Sequence, residues 1–481
     1  MKDRIPTYPG RVRLIPVEGQ ENIYDMSWAD GAVEPGTDLS KANLLTDATA
    51  TLLGLDPTEN PTVNDALNRA AGTVTFVNAW NGAEVEKDTD ISDLSTARTM
   101  LAGASTSDHA LFAGGINASA AASDVVEAYN ANKVRSSFAA LDHAAAYMTG
   151  VSLDGKALFG GGITYSGATI TPQAYVTAYT DAGVKTALTN LDSARYQMGG
   201  ASVGDYALFA GGYDGSVGVA TVDAYNSSLV KTTCPDMANV GCYRMGSAST
   251  GRHAVFLVSM VTWSGTPMLL STPVAVAYDA SLVLVDFDGD GQGRCDPAGC
   301  SIDGKAVFAG GSNEDGTTVY ADVDIYNTAG TLVSTKALNV ARTNLAAADN
   351  GVVGIFAGGK TTSADSPAVN IIQGDGVITN ADDGLGTARS MLAGASVGDE
   401  IIFAGGVSGG TLPIPTDDVD DYHLQHTFDI TIPAFSLVEY GDEKFYTTED
   451  YDFHVSDAFS GTIRRGSMTL SGKIVNGGSY T

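Results

Sequence analysis

A ten-residue phrase returns through this chain at a spacing that few folds can satisfy. HALFAGGINA begins at His109, KALFGGGITY at Lys156, YALFAGGYDG at Tyr206, KAVFAGGSNE at Lys305, VGIFAGGKTT at Val353 and EIIFAGGVSG at Glu400. Its phenylalanine falls at 112, 159, 209, 308, 356 and 403. The double-length gap holds HAVFLVSM, with Phe256 in register but no glycine pair. The spacings are 47 to 52 residues, and self-similarity at such a period marks a repeat architecture.

Other columns march in phase. Fourteen residues before the phenylalanine stands an arginine in five copies: Arg98, Arg195, Arg294, Arg342 and Arg389. Downstream comes Val-x-x-Tyr, as Val126/Tyr129, Val176/Tyr179, Val222/Tyr225, Val323/Tyr326 and Val419/Tyr422, with Ile372 in the tyrosine place of the sixth copy. Each unit reads as strands alone. ARTMLAGAS is a small-residue strand suited to crowding near an axis, and an SD, DG or GD step turns it into ALFAGG. VDAYN then alternates as a third strand, and a valine-containing fourth closes the unit. Paired glycines allow a backbone approach that a side chain would block, or take positive φ. Four strands per unit, repeated radially, predict a mainly β fold, a β-propeller.

These columns resemble kelch repeats: arginine opening the first strand, Gly-Gly ending the second, tyrosine in the third. The resemblance covers residues 72–426. It departs in the fourth strand, where kelch units carry tryptophan and this chain has Val134, Val184, Val230 or Val283; thinner packing between blades is expected. VNAWNGAEV, from Val77, matches VDAYNSSLV, from Val222, with Trp80 as the tyrosine. A third and fourth strand are therefore expected to precede the first full unit and to complete the last blade. That leaves Val419/Tyr422 over, so seven blades are favoured, with eight as the alternative.

Residues 1–71 stand outside the repeat. Residues 8–26 read as extended. GTDLSKANLLTDATATLLGL reads as a helix capped by Asp38 or Ser40, with Leu44, Leu45, Leu52 and Leu53 as a partial stripe. So small a piece must pack on a copy of itself or on a larger assembly. PTYPGRVRLIPVEGQENIYDM followed by GT-x-L-x-KANLL resembles the leading module of tail-associated proteins of phages and prophages of Gram-positive bacteria. The resemblance implies a virion-attachment segment, commonly homotrimeric, that contacts other virion proteins and carries a distal domain. Residues 427–481 alternate apolar and polar and read as a small C-terminal β-domain.

The formal charge of −30, from 56 acidic and 26 basic residues, argues against a nucleic-acid partner, because phosphate backbones are gripped by arrays of Lys and Arg. No apolar run reaches the roughly 18 residues of a membrane span, and the N-terminus lacks a signal-peptide core. Assembly in a host cytoplasm and release by lysis is the expectation.

Two constellations carry candidate chemistry. DFDGDGQG places Asp286, Asp288 and Asp290 at the alternate positions of a calcium loop, yet Pro297 stands where the closing glutamate belongs; calcium competes with a solvated Asp-Gly turn. The five arginines, in one register, would form a ring near a mouth of the central channel. There they could grip an acidic ligand, or each could pair with an acid or carbonyl of a neighbouring blade. Cys234, Cys242, Cys295 and Cys300 cluster near the fourth and fifth units, as thiols or disulfides. No nucleophile elbow, phosphate loop or paired-carboxylate signature stands out. The sequence points to a non-enzymatic virion component, a tail fibre or receptor-binding protein that meets a host cell-surface glycan or protein and needs no obligatory cofactor. A glycan hydrolase or lyase and a head fibre are the alternatives. Recognition is expected in the loops after the glycine pairs, residues 116–124, 163–174 and 407–418.

Overall fold

The computed structural model describes residues 85–424, save 89, 167–168, 238–240, 264–265, 289–292 and 410–413. For 166, 259–263, 266–274 and 286, and for strands outside 85–424, it describes backbone alone. Two compact units emerge, Ala83–Gln425 and, separately, Met1–Gly82 with His426–Thr481.

The first unit is a ring of seven antiparallel sheets with no helix among the described residues. Blade one runs Ala102–Ser105, His109–Ala113, Val126–Asn130 and Arg135–Ser137 from axis to rim. The next five repeat the order. In blade four the second and third strands lengthen into a hairpin, His253–Trp263 with Thr266–Asp279, where the glycine pair is missing. The seventh blade closes the circle: Ala393–Val397, Glu400–Ala404 and Val419–Ile432 are joined by Ala79–Asp88 from the N-terminal side.

That closure corrects the expectation of two donated strands. Val419 pairs with Ala404, and Tyr422 takes the tyrosine place, so the third strand is the blade's own and seven blades result without remainder. VNAWNGAEV and VDAYNSSLV share an alternation that third and fourth strands have in common; only the pairing distinguishes them.

The repeated phenylalanines occupy equivalent interior slots. Phe112, Phe159, Phe209, Phe256, Phe308, Phe356 and Phe403 are at most 1% exposed. Each lies on the preceding sheet, as Phe112 does on Ala393, Ala395 and Ala404, and Phe159 on Ala102, Ala104 and Ala113. Small residues there give the flat surface a ring needs. Six tyrosines meet these rings edge-on, with centroids 5.9–6.3 Å apart. Five of their hydroxyls, those of Tyr129, Tyr179, Tyr225, Tyr278 and Tyr422, reach back to the linker of the blade before, as Tyr179 does to Ala139 O at 2.8 Å and Tyr225 to Thr189 O at 2.7 Å.

The glycine pair is where blades are stitched. The second glycine donates its N–H to the carbonyl of the arginine column one blade on: Gly162 to Arg195 O, 2.9 Å; Gly311 to Arg342 O, 3.0 Å; Gly359 to Arg389 O, 2.9 Å; Gly406 to Arg98 O, 2.9 Å. The first glycine lies so close that a Cβ on Gly161 would stand 2.5 Å from Arg195 O, at φ +68°. Gly161→Ala is therefore expected to lose about 2 kcal/mol or more in urea unfolding. Gly316→Ala, at φ +70° in open space, should lose only about 1 kcal/mol. Equal losses would remove the steric account.

Val134, Val184, Val230 and Val283 do not lie between blades. They are 54–58% exposed, following the turns into the fourth strands, and take no part in interblade packing. Outside the ring, Val12–Pro16 and Tyr24–Trp28 form a hairpin, in keeping with the extended reading of residues 8–26. The helix expected over 36–55 lies outside the described residues. Strands Leu437–Tyr440, Glu443–Tyr446, Ala458–Ile463 and Met468–Lys473 pair as two further hairpins.

Candidate functional site

The five arginines are placed by the sequence register, but they do not face the channel. Arg98, Arg195, Arg342 and Arg389 are 0% exposed and Arg294 1%. Each reaches outward along its own blade to the residue after the repeat valine: Glu127 at 2.6 Å, Asp223 at 2.5 Å, Asp324 at 2.5 Å, Asn370 at 2.7 Å and Asp420 at 2.6 Å. Four also donate to the carbonyl of their blade's own phenylalanine, as Arg342 does to Phe356 O at 3.0 Å. The channel-mouth ligand ring is thereby corrected. So is the pairing with a neighbouring blade: the side chain binds its own sheet while the backbone holds the preceding one. Arg98, Arg195, Arg342 and Arg389 are thus clasps across a seam; the blade before Arg294 lacks the glycine pair.

The electrostatics follow the partner. Burial pulls the Arg98 guanidinium below its usual value, and Glu127 opposes the pull. Burial lowers Arg342, which faces the neutral Asn370, to about 10. Asp420 would rise on burial, but Arg389 and Lys87 hold it below the usual carboxylate range.

A different ring lines the mouth. Met100, Tyr147, Gln197, Arg244, Asp296, Asn344 and Met391, one from each blade, stand two residues beyond the arginine column, all at φ between +52° and +57°. Such backbone is unfavourable for residues other than glycine. A hydrogen-bonded hoop holds it: Tyr147 N donates to Met100 O, Asp296 N to Arg244 O, Met391 N to Asn344 O and Met100 N to Met391 O, all at 3.0 Å, and Arg244 N to Gln197 O at 3.2 Å. Beneath lies an apolar belt including Leu101, Met148, Met198 and Leu345, and the whole encloses about 490 Å³, within the usual range for small-molecule sites.

The rim is polar but balanced. Arg244 binds Asp296 through Nε at 3.0 Å and Nη2 at 2.5 Å, and donates to Glu314 O at 3.2 Å. Burial alone would lower the Arg244 pKa; Asp296 reverses that and raises it. Tyr147, Tyr196, Tyr213 and Tyr243 form an arc with successive centroids 6.3, 5.8 and 5.0 Å apart. Burial pushes the Tyr147 hydroxyl up to about 12, keeping it a neutral donor. The loops after the glycine pairs rise on this same face, since the residue after the arginine column pairs with the start of the loop, as Thr99 with Ile116, Tyr196 with Tyr213 and Ser390 with Val407.

The opposite end is narrower. A Cβ on Gly103 would meet Gly394 O at 2.1 Å, and one on Gly150 would meet Gly103 O at 2.1 Å, which accounts for the small residues of the first strand. Serines and Asp349 finish this end, with Ser301 N donating to Asp349 Oδ2 at 2.8 Å. Burial raises Asp349 to about 6.

Of the calcium candidates, Asp290 and the Asp286 side chain lie outside the described residues. Asp288 is exposed, with its Oδ2 accepting from Leu332 N at 3.3 Å and its N–H donating to Gly330 O at 3.0 Å. Cys234, Cys242, Cys295 and Cys300 are buried free thiols; burial pushes the first three up to about 12 and the fourth well above its usual value.

Strand pairing thus defines the class, a seven-bladed β-propeller with buried arginine clasps and a balanced polar mouth. No family model and no curated protein matches the chain. A solved structure described as "Structure of YjhT" is similar over 75% of this chain and 100% of that one, at 10% identity and a TM-score of 0.44. A likeness at that level carries nothing about ligand or activity.

Proposed function

We propose that this chain is a structural protein of a phage virion, a tail-fibre or receptor-binding component whose kelch-type propeller recognises a host surface. The observation that carries the reading is the mouth face. There, loops of unequal length and sequence stand around a tyrosine-rich polar rim, while the strands beneath repeat. Variation concentrated on a rigid frame is how recognition surfaces are built. The resemblance of residues 6–26 and 36–45 to tail-associated leading modules supports attachment to other virion proteins through residues 1–71, as a homotrimer. The reading is of a binder, not an enzyme: the buried carboxyl pair Glu400–Asp421 lines neither end of the channel.

Labelled full-length protein is expected to bind host cells and to leave their wall polysaccharide intact, and immunogold should mark the tail tip. Release of reducing ends would overturn the binder in favour of a glycan hydrolase or lyase. Gold on the capsid would favour a head fibre.

A further inference from the structure

We propose that the axial cavity behind the mouth ring binds the terminal unit of an uncharged saccharide. The inference deepens the recognition role proposed above and rests on it only for the source of the sugar. Three observations carry it. First, the cavity pairs a polar rim with an apolar belt, matching the hydroxyl perimeter and C–H faces of a pyranose. Second, the rim supplies donors and acceptors together: the Gln197 and Asn344 amides each offer both, as does the Tyr147 hydroxyl. Third, the charged groups lining the cavity are Arg244 and Asp296, and they neutralise each other through two hydrogen bonds. An anionic sugar would have to compete with Asp296 for that guanidinium, within a chain of net charge −30; a cationic ligand would have to compete with Arg244. A neutral polyol meets neither opposition, and its hydroxyls can answer amides on opposite sides of the ring.

The rim is also prepared in advance. Backbone bonds between neighbouring blades hold the seven residues in left-handed conformation, so the backbone does not depend on the Gln197 and Asn344 amides that would serve a ligand. Little ordering is left for binding to impose.

The test is isothermal titration of the full chain with N-acetylglucosamine, galactose, rhamnose and glucuronate. At least one neutral sugar is expected to bind with one site per chain and glucuronate not to. Gln197→Ala and Asn344→Ala should each weaken binding about tenfold, the loss of roughly one hydrogen bond, without changing the unfolding temperature. Asp296→Asn releases Arg244 and should shift preference toward glucuronate. Binding of none of the neutral sugars, affinity unchanged from the natural chain in both amide variants, or tighter binding of glucuronate by the unaltered chain would each overturn the site. Host-cell labelling separates the two proposals. Cells labelled equally by Gln197→Ala while sugar binding is lost would sustain the cavity and move the receptor surface elsewhere. Sugar binding without cell labelling would sustain the cavity and remove the host-surface role.

Discussion

Between pH 5 and pH 8 the propeller is expected to lose stability steadily, and substituting Asp421 should flatten that loss. Asp421 occupies a position that is Ala128, Ala178, Ala224, Ala277, Ile325 and Ile371 in the other six blades. It is 0% exposed, no hydrogen-bond donor reaches either oxygen, and it stands against the buried Glu400. His423 Nδ1 lies 3.0 Å from Glu400 Oε1; Lys133, paired with Asp88 of the closing strand, faces the same group. Burial, then Glu400, pushes Asp421 up to about 8, opposed by Lys133, so the folded chain favours the protonated Asp421 carboxyl at neutral pH.

The sign follows directly. The folded chain keeps a proton that the unfolded chain releases above roughly pH 4. The contribution is whole below that value and disappears as pH climbs toward 8, at up to about 1.4 kcal/mol per pH unit. Asp349 acts in the same direction over a shorter span, whereas Asp420 stabilises above its unfolded pKa and is lost on acidification. Asp421→Ile, which copies blades five and six, should be more stable than the natural chain at pH 8.5 and nearly level with it at pH 5. Urea titrations across that range decide it, and an unchanged slope in the variant would place the pH response elsewhere. Because the pair sits where the N-terminal strand completes the ring, ionisation should loosen this seam first; hydrogen exchange of Val419–Ile432 would report it.

The blade plan was legible because interior slots dictate residue type: a phenylalanine must lie on small residues, and a glycine must admit a carbonyl. The clasp was half legible. Its arginines stood out, but their partners were hidden in a column reading Glu127, Thr177, Asp223, Val276, Asp324, Asn370 and Asp420. That column loses its carboxylate or amide oxygen at Thr177 and Val276, in the two blades where Ala145 and Cys242 replace the arginine, while Asn370 keeps an acceptor opposite Arg342, a match that was available in the sequence. The mouth ring could not be found this way. Its conformation is fixed by backbone hydrogen bonds, so Met100, Gln197 and Arg244 share no chemistry and read as a variable column. The closing strand was misassigned because alternation records which face is buried, not which neighbour pairs.

Arg195→Met is expected to be the most damaging single change in blade three, at about 3–5 kcal/mol. The guanidinium donates to Gly211 O at 2.7 Å, to Phe209 O at 3.2 Å and to Asp223 at 2.5 Å. Methionine fills much of the volume but leaves Asp223, 1% exposed, with only Lys231 as a cationic partner. A buried ion pair need add little net stability; what costs is the charge left behind. Blade four shows how the same seam is built without one, with Cys242 and Val276 at the two positions. Arg195→Met combined with Asp223→Val should therefore recover most of the loss, giving a coupling energy of several kcal/mol in a double-mutant cycle. The recovery should be incomplete, since the bonds to Gly211 and Phe209 are gone in both variants. If the double variant is as unstable as the single one, the clasp works through those carbonyl contacts, and its acid partner is dispensable.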